Sequence, residues 1–272
     1  MLKDITLGQF FPGNSAVHRL DPRTKILMVL VYVALVFLVH NFWGYGLLVI
    51  FLAGSILLSR ISPRFVMKGL KPVFIFVLIT GVFNLFFTGG NVLWQWGFLK
   101  VTEEGLYFAA FMVLRLVFLI LGTSLLTLTT SPIALTDGIE RLLSPFKRIG
   151  FPAHELAMMM TIALRFIPTL MEETDKIIKA QSARGADFES GNLLRRAKAM
   201  IPILIPLFIS AFRRADELAT AMECRCYRGG EGRTRLRELR MHRIDLWGWL
   251  VVVALGAGVI VLNLGFGSAP GL

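Results

Sequence analysis

The residue types that could do chemistry are few in this chain, and their spacing does not serve catalysis. Glu103-Glu104 and Glu172-Glu173 are adjacent carboxylates. Adjacent residues on a helix point about 100° apart, so neither pair can close on a substrate from two sides. His18, His40, His154 and His242 are scattered, with no serine or cysteine placed as a nucleophile beside them. Cys224-x-Cys226 with a distant His242 falls short of a four-ligand metal set and reads as two small residues at a helix end. Gly229-Gly230-Glu231-Gly232-Arg233 is glycine-rich and basic, but it lacks the lysine and the preceding strand of a phosphate-cradling loop. It reads as a turn. These residues imply no enzyme, no metal site and no cofactor on this chain.

Three arginines carry more promise. Arg115 is the one cation deep within a long apolar run, 10 residues past Gly105. An intramembrane charge is a candidate for function by default. The other reading is that it satisfies backbone carbonyls or a neighbouring helix. Arg184 and Arg225 lie in similar settings, Gln181-Ser182-Ala183-Arg184-Gly185-Ala186 and Ala221-Met222-Glu223-Cys224-Arg225-Cys226-Tyr227. Each follows a long helical pattern and is flanked by small residues. A cation in the last turn suits the helix dipole, and Gly185 suits a left-handed cap. One arginine of this kind reads as a dipole-matched surface charge, and the echo on two helices of similar build weakens that reading.

The elements that must position these residues follow from where grease and charge fall. The chain has 272 residues, 55% hydrophobic and 17% charged, with a formal charge of +11. Soluble domains carry about 25% charged residues. This composition excludes a disordered chain, and the long apolar runs argue against a nucleic-acid binder. Two cysteines exclude a disulfide scaffold. Residues 26–59 contain no Asp, Glu, Lys or Arg over 34 positions. As one helix that run is roughly 50 Å long, too long for a hydrocarbon core of about 30 Å. It divides into two spans with a turn near His40-Asn41-Phe42-Trp43-Gly44, which places Trp43 and Tyr45 at the membrane interface. Further spans are expected over 69–88, 105–130 and 246–266, joined by loops that include 89–104.

The loops assign direction. Residues 1–25 hold Lys3, Arg19, Arg23 and Lys25, and the 60–71 loop holds Arg60, Arg64, Lys68 and Lys71. Residues 131–243 hold 19 basic against 13 acidic residues. Basic loops alternate with non-basic ones along five spans, so the N-terminus is expected inside and the C-terminus outside. The expected fold is an all-α membrane protein. Its parts are 1–130 with four spans, a cytoplasmic domain over 131–243, and 244–272 with the last span.

The cytoplasmic segment predicts a short helix from Ser131-Pro132 and two long ones, roughly 153–184 and 192–225. Each long helix has an apolar first half interrupted by proline (Pro168, then Pro202 and Pro206) and a charged second half. Proline there kinks or breaks a helix. Met158, Met159, Met160, Met171, Met200 and Met222 make these helices methionine-rich. Methionine surfaces re-pack around different partners, although plain core packing explains them as well.

With these residues in view, the chain resembles the transmembrane T component of energy-coupling factor (ECF) transporters. Leu20-Asp21-Pro22-Arg23-Thr24-Lys25 looks like that family's N-terminal signature, and Leu164-Arg165-Phe166-Ile167-Pro168-Thr169 is also similar to a family motif. Ala183-Arg184-Gly185 matches the short motif closing the first coupling helix. Cys224-Arg225-Cys226 stands where the second would be, with cysteines replacing Ala and Gly. Since cysteine is a poor left-handed cap, that helix is expected to run on to Gly229 or Gly230.

The resemblance implies a non-catalytic scaffold in a bacterial plasma-membrane importer of a vitamin or other micronutrient. Two cytoplasmic ABC-type ATPases, which hold ATP and Mg, would bind at Ala183, Arg184, Gly185, Cys224, Arg225 and Cys226. A substrate-capturing S component in the bilayer would face Met158, Met159, Met160, Leu164, Ile205 and Phe208. The alternatives are an ATP-independent secondary transporter, which would favour several intramembrane charges or an inverted repeat, and a membrane-embedded enzyme, which would need convergent acid, base or metal groups.

Overall fold

Asp21 decides where the first helix begins. Its side chain accepts from the Arg23 main-chain N–H at 2.9 Å, and Pro22 occupies the first helical position, where its missing N–H costs nothing. The computed structural model describes residues 10–96, 99–186, 188, 192–229 and 239–266. Helix α1 (Pro22–Leu38) is followed by α2 (Phe42–Ser59), α3 (Pro63–Lys68) and α4 (Phe74–Phe87). Strands β1 (Val92–Trp96) and β2 (Leu99–Thr102) precede α5 (Glu103–Thr129) and α6 (Pro132–Leu143). Then come α7 (Ala153–Ala183), α8 (Leu193–Cys224) and α9 (Arg243–Phe266). The protein is an all-α membrane protein with one small hairpin.

Four helical runs are long and apolar enough to cross a membrane among the described residues: 42–59, 63–87, 103–129 and 243–265. Helix α1 is equally apolar in its interior and has 17 residues, the lower limit for a span. The break between α1 and α2 falls at Val39-His40-Asn41, slightly earlier than expected, and Phe42, Trp43 and Gly44 already belong to α2. Trp43 is exposed. Tyr45 is not at an exposed interface: it is 3% exposed, and its hydroxyl donates to the Phe111 carbonyl at 3.3 Å. The 89–104 segment is not a plain loop either. Val92 pairs with Thr102 and Trp96 with Leu99 in an antiparallel hairpin, in keeping with its β-branched and aromatic residues. Thr102 then caps α5 by accepting from the Gly105 N–H at 3.0 Å.

The described residues form two compact units, 10–138 with 239–266, and 139–229. The core of the first is built where α1, α2, α5 and α9 meet: Tyr32, Leu35, Val36, Leu48, Phe111, Phe118 and Val259 are all buried there. Gly122 makes this approach possible. A Cβ at that position would run into Cε1 of Tyr32, whose hydroxyl donates to the Phe118 carbonyl at 2.9 Å. Close packing at small residues is how apolar helices associate where lipid is as greasy as leucine.

In the second unit α7 and α8 run for 31 and 32 residues. Pro168, Pro202 and Pro206 lie inside them without dividing them into separate helices. The loss of one hydrogen bond per proline is tolerated within helices of this length. At about 1.5 Å per residue each reaches roughly 46–48 Å.

Candidate coupling and anchoring sites

The ends of α7 and α8 have the same geometry. At the end of α7, the Gly185 N–H donates to Ser182 O and the Ala186 N–H to Gln181 O, both at 3.0 Å. At the end of α8, the Cys226 N–H donates to Glu223 O at 2.8 Å and the Tyr227 N–H to Met222 O at 3.1 Å. These are the two bonds of a Schellman cap. Gly185 takes φ +86° and Cys226 takes φ +56°, so cysteine fills the left-handed position that glycine fills in α7. The second helix therefore ends at Cys224 rather than running on to Gly229 or Gly230. The closing bonds at Met222 and Glu223 outweigh the local cost of a left-handed β-carbon, roughly 1–2 kcal/mol.

Arg184 and Arg225 occupy the same cap position, each one residue before the left-handed residue, and both are exposed. Ala183, Gly185, Cys224 and Cys226 are exposed beside them. The helices meet at an ion pair, Arg214 Nη2 to Glu173 Oε2 at 3.2 Å. Arg184 lies 11 residues beyond Glu173, and Arg225 lies 11 residues beyond Arg214. The two arginines thus stand on arms of equal length, roughly 16 Å of helix each. Sequence reading paired the helix ends but missed the crossing pair. A constant offset of 41 residues relates Glu173 to Arg214 and Arg184 to Arg225, and that repeat was the available signal.

An apolar stripe follows α8 at helical spacing. Ile201, Leu204, Ile205, Phe208, Ile209 and Phe212 are all exposed. On α7, Met159 and Met160 are exposed, whereas Met158 and Leu164 are half-buried. The six residues expected to face a membrane partner therefore divide into four exposed and two half-buried.

Two polar clasps hold α1 beside α9. At their starts, Asp245 Oδ1 accepts from the Asp21 N–H and the Thr24 hydroxyl, both at 2.8 Å, and Asp245 Oδ2 accepts from the His242 N–H at 2.6 Å. Arg23 bonds Asp21 Oδ2 at 2.9 Å and the Leu239 carbonyl at 2.7 Å. Burial pushes the Asp21 carboxyl up, but its hydrogen bonds and charge interaction with Arg23 prevail and hold it below the ordinary carboxylate value. Lys25 Nζ donates to the carbonyls of Thr129 at 2.9 Å and His18 at 3.3 Å, and to Thr130 Oγ1 at 3.2 Å. The segment Asp21 to Lys25 thus ties together the start of α1, the start of α9 and the end of α5. Asp245 escaped sequence reading. Its only signal was a lone carboxylate at the head of an apolar run.

At the far ends, Asn263 Nδ2 donates to the Leu38 carbonyl at 2.6 Å and Asn41 Nδ2 to the Leu262 carbonyl at 2.9 Å. Arg115 Nη2 donates to the Val39 carbonyl at 3.4 Å, and its guanidinium lies 5.7 Å from the Phe37 ring centroid. The break between α1 and α2 leaves carbonyls at the end of α1 without helical partners, and side-chain donors satisfy them. Arg115 is one of those groups, which is the structural reading of this intramembrane cation. Because starts meet starts and ends meet ends, α1 and α9 run in the same direction. Of the histidines, His154 Nδ1 lies 3.0 Å from Glu140 Oε1, and His18 sits between Ser15 Oγ at 2.7 Å and the Phe11 carbonyl at 3.0 Å.

Comparison with known proteins agrees with this architecture. The family described as "Cobalt transport protein" (CbiQ) matches residues 13–236. A protein of Clostridium kluyveri named "Energy-coupling factor transporter transmembrane protein EcfT" is 61% identical over 98% of this chain and 100% of its own length. A protein of the same name from Thermosediminibacter oceani is 60% identical over 96% of this chain and 98% of its own. One from Bacillus subtilis is 55% identical over 88% and 91%.

Proposed function

The chain belongs to the family of energy-coupling factor transporter transmembrane proteins, and on that premise we propose that it is the coupling scaffold of an ATP-driven importer. In this reading two cytoplasmic ATPases hold the ATP and Mg and do the hydrolysis. Arg184 and Arg225, with Ala183, Gly185, Cys224 and Cys226 around them, each enter a groove of one ATPase. An S component in the bilayer captures a vitamin or other micronutrient and rests on the apolar faces of α7 and α8, where Met159, Met160, Ile205 and Phe208 are exposed.

The observation that carries this reading is the pair of identical helix ends. Two equal caps on arms of equal length suit two similar partners. Arginine suits the contact because its rigid fork binds a carboxylate through two parallel hydrogen bonds. Motion of the ATPases would reach both helices and be summed where Glu173 meets Arg214. No step of the chemistry falls to this chain: its contribution is to hold two arginines at fixed separation and to present an apolar surface.

Residues 1–130 and 244–272 would form the membrane part and 131–243 the cytoplasmic coupling part. The parallel course of α1 and α9 fits five spans, with α1 first and α9 fifth, since odd-numbered spans share a direction. The N-terminus would then lie inside and the C-terminus outside a bacterial plasma membrane, with the basic loops facing the cytoplasm. One intramembrane cation is little support for the ATP-independent alternative, and Arg115 Nη2 donates to the Val39 carbonyl at the α1–α2 break.

The test is the pair Arg184→Glu and Arg225→Glu in the chain co-expressed with its transporter partners. Each single reversal should weaken retention of one ATPase, and the double reversal should abolish ATP-dependent uptake while the chain remains folded in the membrane. A double variant that still retains both ATPases and transports at the parent rate would overturn the reading.

A further inference from the structure

A cavity of about 250 Å³ opens between α1, α2, α5 and α9. Its walls are almost wholly hydrocarbon, with Met28, Val29, Leu52, Leu126, Trp247 and Val251 among them. Lys25, Tyr32, Ser55 and Thr129 are among its polar lining residues, and Lys25 and Thr129 mark one end, where α1 starts and α5 finishes. All four walls are helices of the membrane part, so water is a poor occupant. An apolar space at bilayer depth takes hydrocarbon, and in a membrane the available hydrocarbon is the acyl chain of a lipid.

Charge at that end says which lipid. Lys25 lines the cavity but its ammonium already serves three oxygens. Arg19 directly precedes the lining residue Leu20, and Arg60 lies two residues beyond the lining residue Leu58. Both arginines are exposed, and among the described residues neither is paired with an acid. Arg60 is fixed in a left-handed conformation, φ 56°, where the chain turns out of α2. Two arginines that adjoin lining residues, neither paired with an acid among the described residues, have the chemistry of a headgroup site. Basic pockets between spanning helices select anionic lipids in this way.

We propose that this cavity holds one acyl chain of an anionic glycerophospholipid, with its phosphate headgroup at Arg19 and Arg60. The bound chain fills the space that α1, α2, α5 and α9 leave between them, and the headgroup joins the N-terminal segment before α1 to the end of α2. The inference rests only on the membrane placement of these four helices. It does not depend on ATPase docking or on which leaflet the basic end faces.

Trp247 lines the cavity and reports on its contents. The experiment uses the full chain with Trp43, Trp94, Trp96 and Trp249 changed to phenylalanine, in nanodiscs of phosphatidylcholine. Phosphatidylglycerol or phosphatidylcholine carrying brominated acyl chains is added as quencher. Brominated phosphatidylglycerol should quench Trp247 at a mole fraction about fivefold or more below that needed for brominated phosphatidylcholine, in line with the strength of one or two lysine- or arginine-to-anionic-lipid contacts. Arg19→Gln with Arg60→Gln should abolish the preference, and Arg19→Lys with Arg60→Lys should keep most of it. Ser55→Phe, which fills the slot, should remove the tight component for both lipids. Equal quenching by the two lipids, a preference unmoved by the double glutamine variant, or full quenching with Ser55→Phe would each overturn the proposal. Native mass spectrometry of the parent chain from mixed micelles gives a second reading without tryptophan changes: phosphatidylglycerol adducts should survive activation that strips phosphatidylcholine, and parallel loss of both would likewise overturn it.

Discussion

Glu173 and Arg214 meet at 3.2 Å where the two long helices touch, and each stands 11 residues before the arginine that ends its own helix. Both side chains are about a third exposed, at 30% and 34%. Exposed ion pairs contribute about 0–1 kcal/mol, so this one is worth little as a stabiliser. Its consequence is geometric: it fixes the point from which both arms are measured. Glu173→Arg or Arg214→Glu alone places like charges face to face and should loosen the crossing. The double exchange restores an opposite pair. Distances between spin labels placed near the two helix ends should broaden in each single variant and sharpen again in the double. A double variant as broad as the singles would show that the pair does not set the register.

Asp245 takes three donors with two oxygens, from Asp21, Thr24 and His242. Asp245→Ala strands all three beside a 3% exposed position. The expected loss is about 2–5 kcal/mol, in the range for breaking a buried charged network. Asp245→Asn keeps the oxygen that serves Asp21 and Thr24 but turns an amide toward the His242 N–H, so it should cost less. The apparent melting temperature in detergent should follow the order parent, Asn, Ala. Equal melting of all three would show that the clasp is not formed.

Arg115 and Asn263 close the opposite end of the same helix pair. Arg115→Leu removes a donor from Val39 and should lower stability by about 0.5–2 kcal/mol, the span of intramembrane hydrogen bonds. Uptake per folded molecule should be unchanged, because the guanidinium serves backbone rather than a transported ion. A variant that folds as the parent does but transports nothing would return Arg115 to a transport role.

Much of this was legible in the sequence because it depends on local pattern. The apolar runs, the alternation of basic loops and the two long helices follow from hydropathy and charge. Ser131-Pro132 announced a helix start, which α6 makes at Pro132, and Gly185 announced a helix end. What stayed hidden depends on contacts across long separations. Nothing near Asp245 says that its partners lie 224 residues away at Asp21. Tyr45 reads as an interfacial ring by composition, yet it turns inward because Phe111 offers a carbonyl. The hairpin over 92–102 was obscured because its strands are only five and four residues long. Cys226 misled for a different reason: the cost of a left-handed cysteine is local and visible, whereas the bonds that repay it are not.

Gly122 leaves the space that the Tyr32 ring fills, and the ring's hydroxyl is anchored to Phe118. Gly122→Ala should therefore overpack the junction of α1 and α5 and cost about 1–3 kcal/mol. Tyr32→Leu in the same chain removes the ring that the methyl would strike. The combined variant should be more stable than the sum of the two single losses predicts. Additive losses would show that the two positions do not share this space.

Cys226 offers the sharpest test of the helix-end geometry. At φ 56° a β-carbon is strained by roughly 1–2 kcal/mol, and glycine is not. Glycine also raises the entropy of the unfolded chain, which returns about 0.4–1 kcal/mol of the gain. Cys226→Gly should thus steady the end of α8 by about 0.5–1 kcal/mol and slow hydrogen exchange at the Tyr227 amide, which donates to Met222 O. The reverse change, Gly185→Cys, should speed exchange at the Ala186 amide, which makes the equivalent bond to Gln181 O. The two variants make the caps alike in opposite ways, so their effects should mirror each other. If Cys226→Gly instead speeds exchange at Tyr227, the left-handed cap is not what ends this helix, and the equality of the two arms would fall with it.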